Sequence, residues 1–211
     1  MDDMKRMAGV LAAAGALGVG LFIFGSCGHD ETTSPEHRNT TRDTPEHLLS
    51  TYTKSMEQKS ISDYTECLGE DYRFVFLADD YSAAGVDTLA PYWEKTEDVD
   101  RTSKMFASSN VYEISFGFMI VQDFSPSDTL RHIITHIDLQ VVVDMGEVEL
   151  TTMWVNYSLL HFTLAKDPGE PSLWVIREIQ EQKVYLSEMA GDPAIHQTET
   201  TTYGEIKAMF K

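Results

Sequence analysis

The 211-residue chain has few cysteines and few basic residues. Its 2 cysteines are too few for a disulfide scaffold or for a structural zinc site built from cysteine. Acidic residues outnumber basic ones by 34 to 16, which leaves a net charge of −18. Because affinity for nucleic acids depends on clustered Lys and Arg, we expect no DNA or RNA partner. An apolar content of 42% supplies enough side chains for a core, so the chain is not disordered throughout.

The sequence also lacks the short motifs of common catalytic and cofactor sites. It contains no P-loop, no GxGxxG fingerprint, no HExxH helix, no serine elbow and no CxxC pair. We therefore predict no cofactor and no metal site, and no motif indicates an enzyme.

Residues 1–26 have the layout of a secretory signal. The basic pair Lys5-Arg6 precedes an uncharged apolar run, Met7–Phe24, and small residues follow. From Ala8 the run spans about 26 Å as a helix, short of the roughly 30 Å hydrocarbon core of a bilayer. A count from Met7 to Ser26 gives 20 residues, so a single-span anchor remains an alternative, as does simple secretion.

Phe24-Gly25-Ser26-Cys27 resembles the lipobox of bacterial lipoproteins, although Phe stands where Leu is usual. The resemblance implies that Cys27 is lipidated and becomes the mature N-terminus, and several acyl chains anchor a protein stably. Gly28 follows the cysteine, which favours the outer membrane in a diderm host. We therefore predict a signal peptide over residues 1–26 and a lipoprotein of the bacterial cell envelope, with its domain outside the cytoplasm.

Residues 27–43 are predicted to be the lipidated cysteine and a flexible tether, because residues 28–43 contain no large apolar side chain. Cleavage before Cys27 removes two aspartates together with Lys5-Arg6, so the charge remains −18. Anionic lipids would repel such a domain, and the attached lipid must hold it to the membrane.

Residues 44–183 have the periodicities of an α+β domain with helices first and strands second. The predicted helices are one opened by Thr44-Pro45-Glu46, a short one over Asp63–Leu68 capped by Ser62, and one over Tyr92–Ala107. Tyr72–Leu77 has the composition of a strand. Four later strands on short turns predict an antiparallel meander, with inward groups that include Tyr112, Ile114, Phe116, Ile120, Ile133, Leu139, Leu150, Trp154, Leu160, Phe162, Leu164, Val175 and Ile179.

This order of elements resembles the NTF2-like (SnoaL-like) superfamily. The resemblance is carried by Thr44–Leu49, by Ile61–Leu68 leading into Tyr72-Arg73-Phe74, and by the closing strand Leu173–Ile179. It implies three helices held in a curved antiparallel sheet as a cone. Enzymes of the superfamily place Asp, His, Tyr or Arg in the mouth of the cone, and pairing of two copies through the open face of the sheet is common.

Four residues are weak catalytic candidates. His136 and Asp138 share one face of a strand with His132, but the opposite face is apolar, so this face is more simply solvated. His132 and His136 are about 13 Å apart on a strand, too far to share a metal ion. Asp63 more simply opens a helix, where the dipole favours an acid, and Arg177 more simply pairs with a neighbouring strand.

Other residues are assigned to the core or to the wall of a pocket. The aromatic candidates are Tyr72, Trp93, Trp154 and Trp174. Cys67 is read as a buried small hydrophobe. In the C-terminal extension, residues 184–211, four apolar side chains at helical spacing predict a short helix that docks on the domain or binds a partner: Tyr203, Ile206, Met209 and Phe210.

These observations predict an envelope lipoprotein whose domain binds a small ligand or an envelope protein without catalysis. A small lyase, isomerase or hydrolase acting in the cone pocket is the alternative, and a homodimer through the sheet is a further expectation. A hollow cone with polar groups in hydrogen-bonding reach would favour the enzyme, and a plugged cone would favour the binding protein.

Overall fold

A computed structural model describes residues 42–144, 146, 150–183 and 201–210, except for the side chains of residues 156, 157 and 183. The predicted signal peptide, Cys27 and nearly all of the predicted tether lie outside the described residues. Arg42, at the end of that tether, accepts a hydrogen bond from the backbone N–H of Trp174 at 2.7 Å. Arg42 is therefore hydrogen-bonded to the domain, although the prediction assigns it to the tether.

The domain has an α+β architecture. Its helices are α1 (Pro45–Glu57), α2 (Ile61–Cys67), α3 (Tyr81–Ala84), α4 (Lys95–Ala107) and α5 (Tyr203–Ala208). Its strands are β1 (Leu68–Val75), β2 (Tyr92–Glu94), β3 (Val111–Ser127), β4 (Leu130–Val143), β5 (Thr151–Lys166) and β6 (Trp174–Lys183). The longest of the described helices has 13 residues, and none is long and apolar enough to cross a bilayer.

The six strands form one curled sheet in the order β2-β1-β6-β5-β4-β3. Consecutive strands β3 to β6 pair antiparallel, as the short turns predict. The sheet is nevertheless mixed, because β1 pairs with β6 in parallel. The predicted meander is therefore confirmed, whereas the long-range pairing of β1 with β6 was not predicted.

Local signals place the start of α1 correctly and misplace α2. The Thr44 side chain accepts a hydrogen bond from the His47 N–H at 3.1 Å, and Pro45 occupies the first helical turn. Helix α2 begins at Ile61 rather than Asp63, with Ser60 as its N-cap. It ends at Cys67 because Leu68 already has an extended backbone and starts β1.

The predicted helix over Tyr92–Ala107 is two elements. Residues Tyr92–Glu94 form β2, where Phe74 pairs with Trp93. The helix proper, α4, begins at Lys95, and its buried face is formed by Asp98, Thr102 and Met105. Two of these three residues are polar, so the apolar pattern of the sequence does not identify the buried face of α4.

A β-bulge in β5 explains why Trp154 lies outside the core. Ser158 pairs with Ile137 and Asn156 with Asp138, so β5 has one extra residue between them. An extra residue reverses which side chains face inward. Val155 and Leu160 are therefore both fully buried, whereas Trp154 is 40% exposed. Three other predicted inward residues are exposed as well: Tyr112, Ile120 and Leu150.

The core lies between the inner face of the sheet and the helices. The ring of Tyr52 on α1 meets the rings of Phe116 and Phe162 on the sheet, with centroids 6.1 and 6.0 Å apart. We call the space between this face and α1, α2 and α4 the cone interior. The C-terminal helix α5 fills it.

Candidate functional site: the polar cluster inside the cone

Helix α5 is packed into the cone interior rather than onto the surface of the domain. It contacts α3 and α4. The Tyr203 ring stacks on Phe116 of β3 at 5.9 Å and meets Phe74 of β1 edge-on at 5.5 Å. Tyr203, Ile206 and Lys207 are all fully buried. A segment distant in sequence thus occupies the place where a hollow cone would hold a ligand.

A lysine and an aspartate meet at the centre of this packing. The Lys207 ammonium donates to Oδ1 of Asp98 and, at 2.9 Å, to the hydroxyl of Tyr64. The Tyr64 hydroxyl donates in turn to Oδ2 of Asp98 at 2.5 Å. Both charged side chains are 0% exposed. The two charges can remain inside because each is paired and hydrogen-bonded.

Aromatic rings surround the ammonium. The Lys207 Nζ lies 4.7 Å from the ring centroid of Phe74, 5.1 Å from that of Tyr203 and 5.5 Å from that of Tyr64. The Phe74 and Tyr203 distances allow cation–π attraction, which is strongest where water is excluded, whereas Tyr64 meets the ammonium with its hydroxyl. The arrangement is an ammonium site made of one carboxylate, one phenol hydroxyl and two aromatic rings.

Two further tyrosines extend the polar cluster, which comprises Tyr52, Tyr64, Tyr72, Asp98, Tyr203 and Lys207. The hydroxyls of Tyr52 and Tyr203 share a hydrogen bond of 2.6 Å. The Tyr72 hydroxyl is buried near the Asp98 carboxylate but makes no hydrogen bond of ordinary length and angle among the described residues. Burial, and then the nearby Asp98, raise the pKa of Tyr72 well above 10.0.

Burial sets the direction of the other pKa shifts in the polar cluster. It raises the pKa values of Tyr52, Tyr64 and Tyr203 well above their ordinary range, because the phenolate forms would be charges without water. Burial also lowers the pKa of Lys207 below 10.5, although the Asp98 carboxylate acts in the opposite direction. The phenols therefore stay protonated at neutral pH and act as neutral hydrogen-bonding groups.

Buried side chains fix the start of α5. The Glu181 carboxylate on β6 accepts the N–H groups of Tyr203, at 2.9 Å, and Gly204, at 3.1 Å. Thr202 and Glu205 form a capping box, and the Thr202 hydroxyl donates to Oδ2 of Asp80 at 2.8 Å. Unpaired N–H groups at a helix start need such acceptors when they are buried.

A surface cleft of about 690 Å³ lies elsewhere, between the start of β1 and the β5–β6 hairpin. Four basic side chains line it, and each is already paired. Arg42 donates to the carbonyl of Glu66, Lys95 to Glu70, Lys166 to the carbonyl of Ser172 and Arg177 to Asp71. Each basic side chain of the cleft therefore has a hydrogen-bond acceptor within the domain, and two of them, Lys95 and Arg177, pair with a carboxylate.

The structure places all four weak catalytic candidates outside the polar cluster. Asp63 lies in the first turn of α2, where its Oδ2 accepts from the Ser60 hydroxyl at 2.7 Å. His136 and Asp138 lie on β4, facing away from the apolar side chains that pack against the helices. Arg177 pairs with Asp71 at the cleft. Among the described residues, no group of three or more His, Cys, Asp or Glu could hold a metal ion.

The aromatic candidates divide between core and surface. Tyr72 and Trp93 are 1% exposed and Trp174 is 6% exposed, whereas Trp154 is at the surface. Tyr72 belongs to the polar cluster, and the Trp93 Nε1 donates to the carbonyl of Ala84 at 3.2 Å. Cys67 is fully buried, and burial raises its pKa to about 12.

Asp98 and Lys207, the two charged residues of the polar cluster, are not among the site residues predicted from the sequence. Lys207 follows Tyr203 by four positions, so helical spacing already placed it on the same face. Asp98 precedes Met105 by seven positions, which is two helical turns, so the spacing also places these two residues on one helix face. Lysine and aspartate are rarely buried, and Lys207 and Asp98 can be buried here because they pair with each other.

Comparison with known proteins agrees with this architecture. No protein-family model matches the chain, and no curated protein is similar to it. A solved structure from Novosphingobium aromaticivorans, provisionally named an aromatic ring hydroxylase, superposes with a TM-score of 0.50 at 13% identity, covering 66% of this chain and 86% of that one. At this identity the similarity establishes a shared fold and nothing about activity.

Two other solved structures resemble the chain more weakly. A protein of unknown function from Mycobacterium tuberculosis has a TM-score of 0.48 and 9% identity over 78% of this chain and 89% of that one. A provisionally named dehydratase of the NTF2-like family from Streptomyces avermitilis has a TM-score of 0.44 and 10% identity over 65% and 91%. The chain has an NTF2-like (SnoaL-like) fold, as the sequence predicts.

Proposed function

We propose that this chain is a lipid-anchored protein of the bacterial cell envelope, in the outer membrane if the host is diderm, whose NTF2-like domain binds a ligand or partner protein without catalysis. The filled cone supports the absence of catalysis while α5 is in place. Tyr203 and Lys207 occupy its interior, and the Asp98 carboxylate is held by an ammonium rather than left for a substrate. A carboxylate that is paired with a lysine of its own chain has no substrate within hydrogen-bonding reach and cannot act as a general acid or base.

The anchor is supported by the sequence Phe24-Gly25-Ser26-Cys27 after an apolar run. Metabolic labelling with palmitate tests it. We expect label on the native chain and none on the Cys27→Ala variant. Cys67→Ala is the matched control, because a buried thiol is not a lipidation site, and it should label as the native chain does. Equal labelling of the native chain and Cys27→Ala would reject the anchor.

A small lyase, isomerase or hydrolase is the second candidate. One observation favours it: the Asp98 carboxylate and the Tyr64 hydroxyl are 2.5 Å apart inside the cone, within reach for proton transfer. Such a reaction requires α5 to leave. Turnover of a carbonyl, epoxide or alcohol substrate by the native chain, abolished by Asp98→Asn, would favour the enzyme over the binding protein.

A further inference from the structure

We propose that the cone interior is a recognition site for a primary ammonium group on an apolar stem. Lys207 fills it in this structure, so that α5 acts as a resident ligand. The proposal deepens the proposed function by naming the chemical class that the binding domain accepts.

The surroundings of the Lys207 ammonium carry the argument. Its partners come from three separate elements: Asp98 on α4, Tyr64 on α2 and Phe74 on β1. All three are fully buried. These three groups lie on elements other than α5, whereas the Tyr203 ring belongs to α5 itself. The carboxylate, the phenol hydroxyl and one aromatic ring of the site are therefore supplied by the rest of the domain.

The Tyr72 hydroxyl is a second observation at the same site. It is buried close enough to Asp98 for the carboxylate to raise its pKa, although it makes no hydrogen bond of ordinary length and angle among the described residues. A buried hydroxyl that is poorly paired carries a cost in free energy. It adds a polar group beside Asp98 to which Lys207 does not donate.

The electrostatics select the ligand. The carboxylate and the ring faces both attract a cation, while the absence of water makes a second anion or an unpaired neutral group costly there. A flexible apolar stem matches the methylene chain of Lys207, which is fully buried. A primary ammonium can also supply two hydrogen bonds, one to Asp98 and one to Tyr64, as Lys207 does.

Chemical rescue tests the proposal on the full chain. The Lys207→Ala variant lacks the atoms of n-propylamine, so n-propylamine should fill the vacated volume. We expect saturable binding that raises the thermal midpoint of this variant by about 3 °C, with propan-1-ol at equal concentration having a much smaller effect. The double variant Asp98→Asn/Lys207→Ala should respond equally to the two compounds. Lys104→Ala, which removes a half-exposed lysine of α4, should respond to neither.

Two results would overturn the proposal. One is an equal response of Lys207→Ala to n-propylamine and propan-1-ol, and the other is the same amine response when Asp98 is also replaced. If Lys207→Ala does not fold alone, refolding with each compound is the readout: recovery with the amine alone supports the proposal, and failure with the amine contradicts it.

A mixing experiment distinguishes a small amine from the lysine of a second copy. Lys207→Ala chains keep Asp98, while Asp98→Asn chains keep a lysine without its carboxylate. If α5 is exchanged between copies, the mixture gains a dimer and a higher midpoint than either variant alone. If only n-propylamine raises the midpoint, a small amine is the source. Neither experiment depends on palmitate labelling or turnover, so the proposed function can fail while this inference stands.

Discussion

At the scale of single residues, the pairing of Lys207 with Asp98 dominates the cone interior. Both are fully buried, and each is the other's counter-charge. Desolvation of two ions offsets much of their attraction, so a buried pair contributes little net stability. The loss of one partner is a different matter, because it leaves an uncompensated charge without water.

The Lys207→Met variant should therefore lower the free energy of unfolding by about 3–5 kcal/mol, measured by urea denaturation. The double variant Asp98→Leu/Lys207→Met removes both charges and should recover most of that loss. Lys104→Met is the surface control, where Lys104 pairs with Asp100 at 2.9 Å in solvent, and should cost less than about 1 kcal/mol. Equal losses in the single and the double variant would contradict this account.

Cys67 provides a second prediction at this scale. Burial raises its pKa from 9.0 to about 12, so its thiolate fraction at pH 8 falls about a thousand-fold. In a chain carrying Cys27→Ser, we expect iodoacetamide to alkylate Cys67 at pH 8 far more slowly in buffer than in urea. Mass spectrometry over time measures both rates, and similar rates would show that Cys67 is accessible.

At the scale of elements, two residues attach α5 to the domain. Gly204 allows close packing against Phe76 and Asp80, and the Glu181 carboxylate accepts hydrogen bonds from the first N–H groups of the helix. A Cβ added to Gly204 would lie 2.8 Å from Cδ1 of the Phe76 ring and 3.3 Å from Oδ2 of Asp80. Overpacking of a core costs about 1–3 kcal/mol, whereas Ala in place of Gly returns at most about 1 kcal/mol of helix propensity. The steric cost of the added Cβ is therefore larger than the gain in helix propensity.

We expect Gly204→Ala to lower the unfolding free energy and to expose α5 to proteolysis. Gly117→Ala is the matched control, because a Cβ there would meet its nearest neighbour, the Asp138 carbonyl, at 3.8 Å. Urea denaturation with limited proteolysis measures both effects. A Gly204→Ala chain as stable as the Gly117→Ala chain would show that α5 does not pack closely.

Glu181 makes the attachment of α5 depend on pH. Burial raises its folded pKa above 4.5, so the native chain keeps a proton that the unfolded chain loses. This contribution to stability is fully present below pH 4.5 and is lost as the pH rises through the folded pKa. Glu181→Gln should lack that slope, which urea denaturation at several pH values measures. Identical pH slopes would exclude Glu181 as their source.

At the scale of the whole molecule, charge and anchor are linked. The net charge of −18 opposes contact with anionic membranes, and the predicted lipid is the means of attachment. We expect residues 28–211, produced without the signal peptide and Cys27, to stay in the supernatant when phosphatidylglycerol vesicles are sedimented at low salt. The native lipidated chain, the control, should sediment with them. Salt-sensitive sedimentation of residues 28–211 would reveal a basic surface that the composition does not predict.

The predicted homodimer also belongs to this scale, and we retain it as a proposal. The face of the sheet that points away from the helices carries Trp154 and Met119, which are 40% and 65% exposed. Sedimentation equilibrium of residues 28–211, which carry neither the signal peptide nor a lipid, measures the oligomeric state. A monomer at all concentrations would count against pairing through the sheet.

Short-range patterns in the sequence determined where α1 begins and where the strands β3 to β6 form. Thr44-Pro45 sets the start of α1, and alternating apolar residues define β3 to β6 and hence the α+β class. Neither signal depends on distant residues, because caps and strand periodicity act within a few positions.

Tertiary structure decided what occupies the cone. Lys207 and Asp98 are 109 residues apart, and a buried charge is permitted only where its partner arrives in space. The bulge that turns Trp154 outward likewise depends on the register between β4 and β5. These features rest on contacts between remote segments, which no local pattern records.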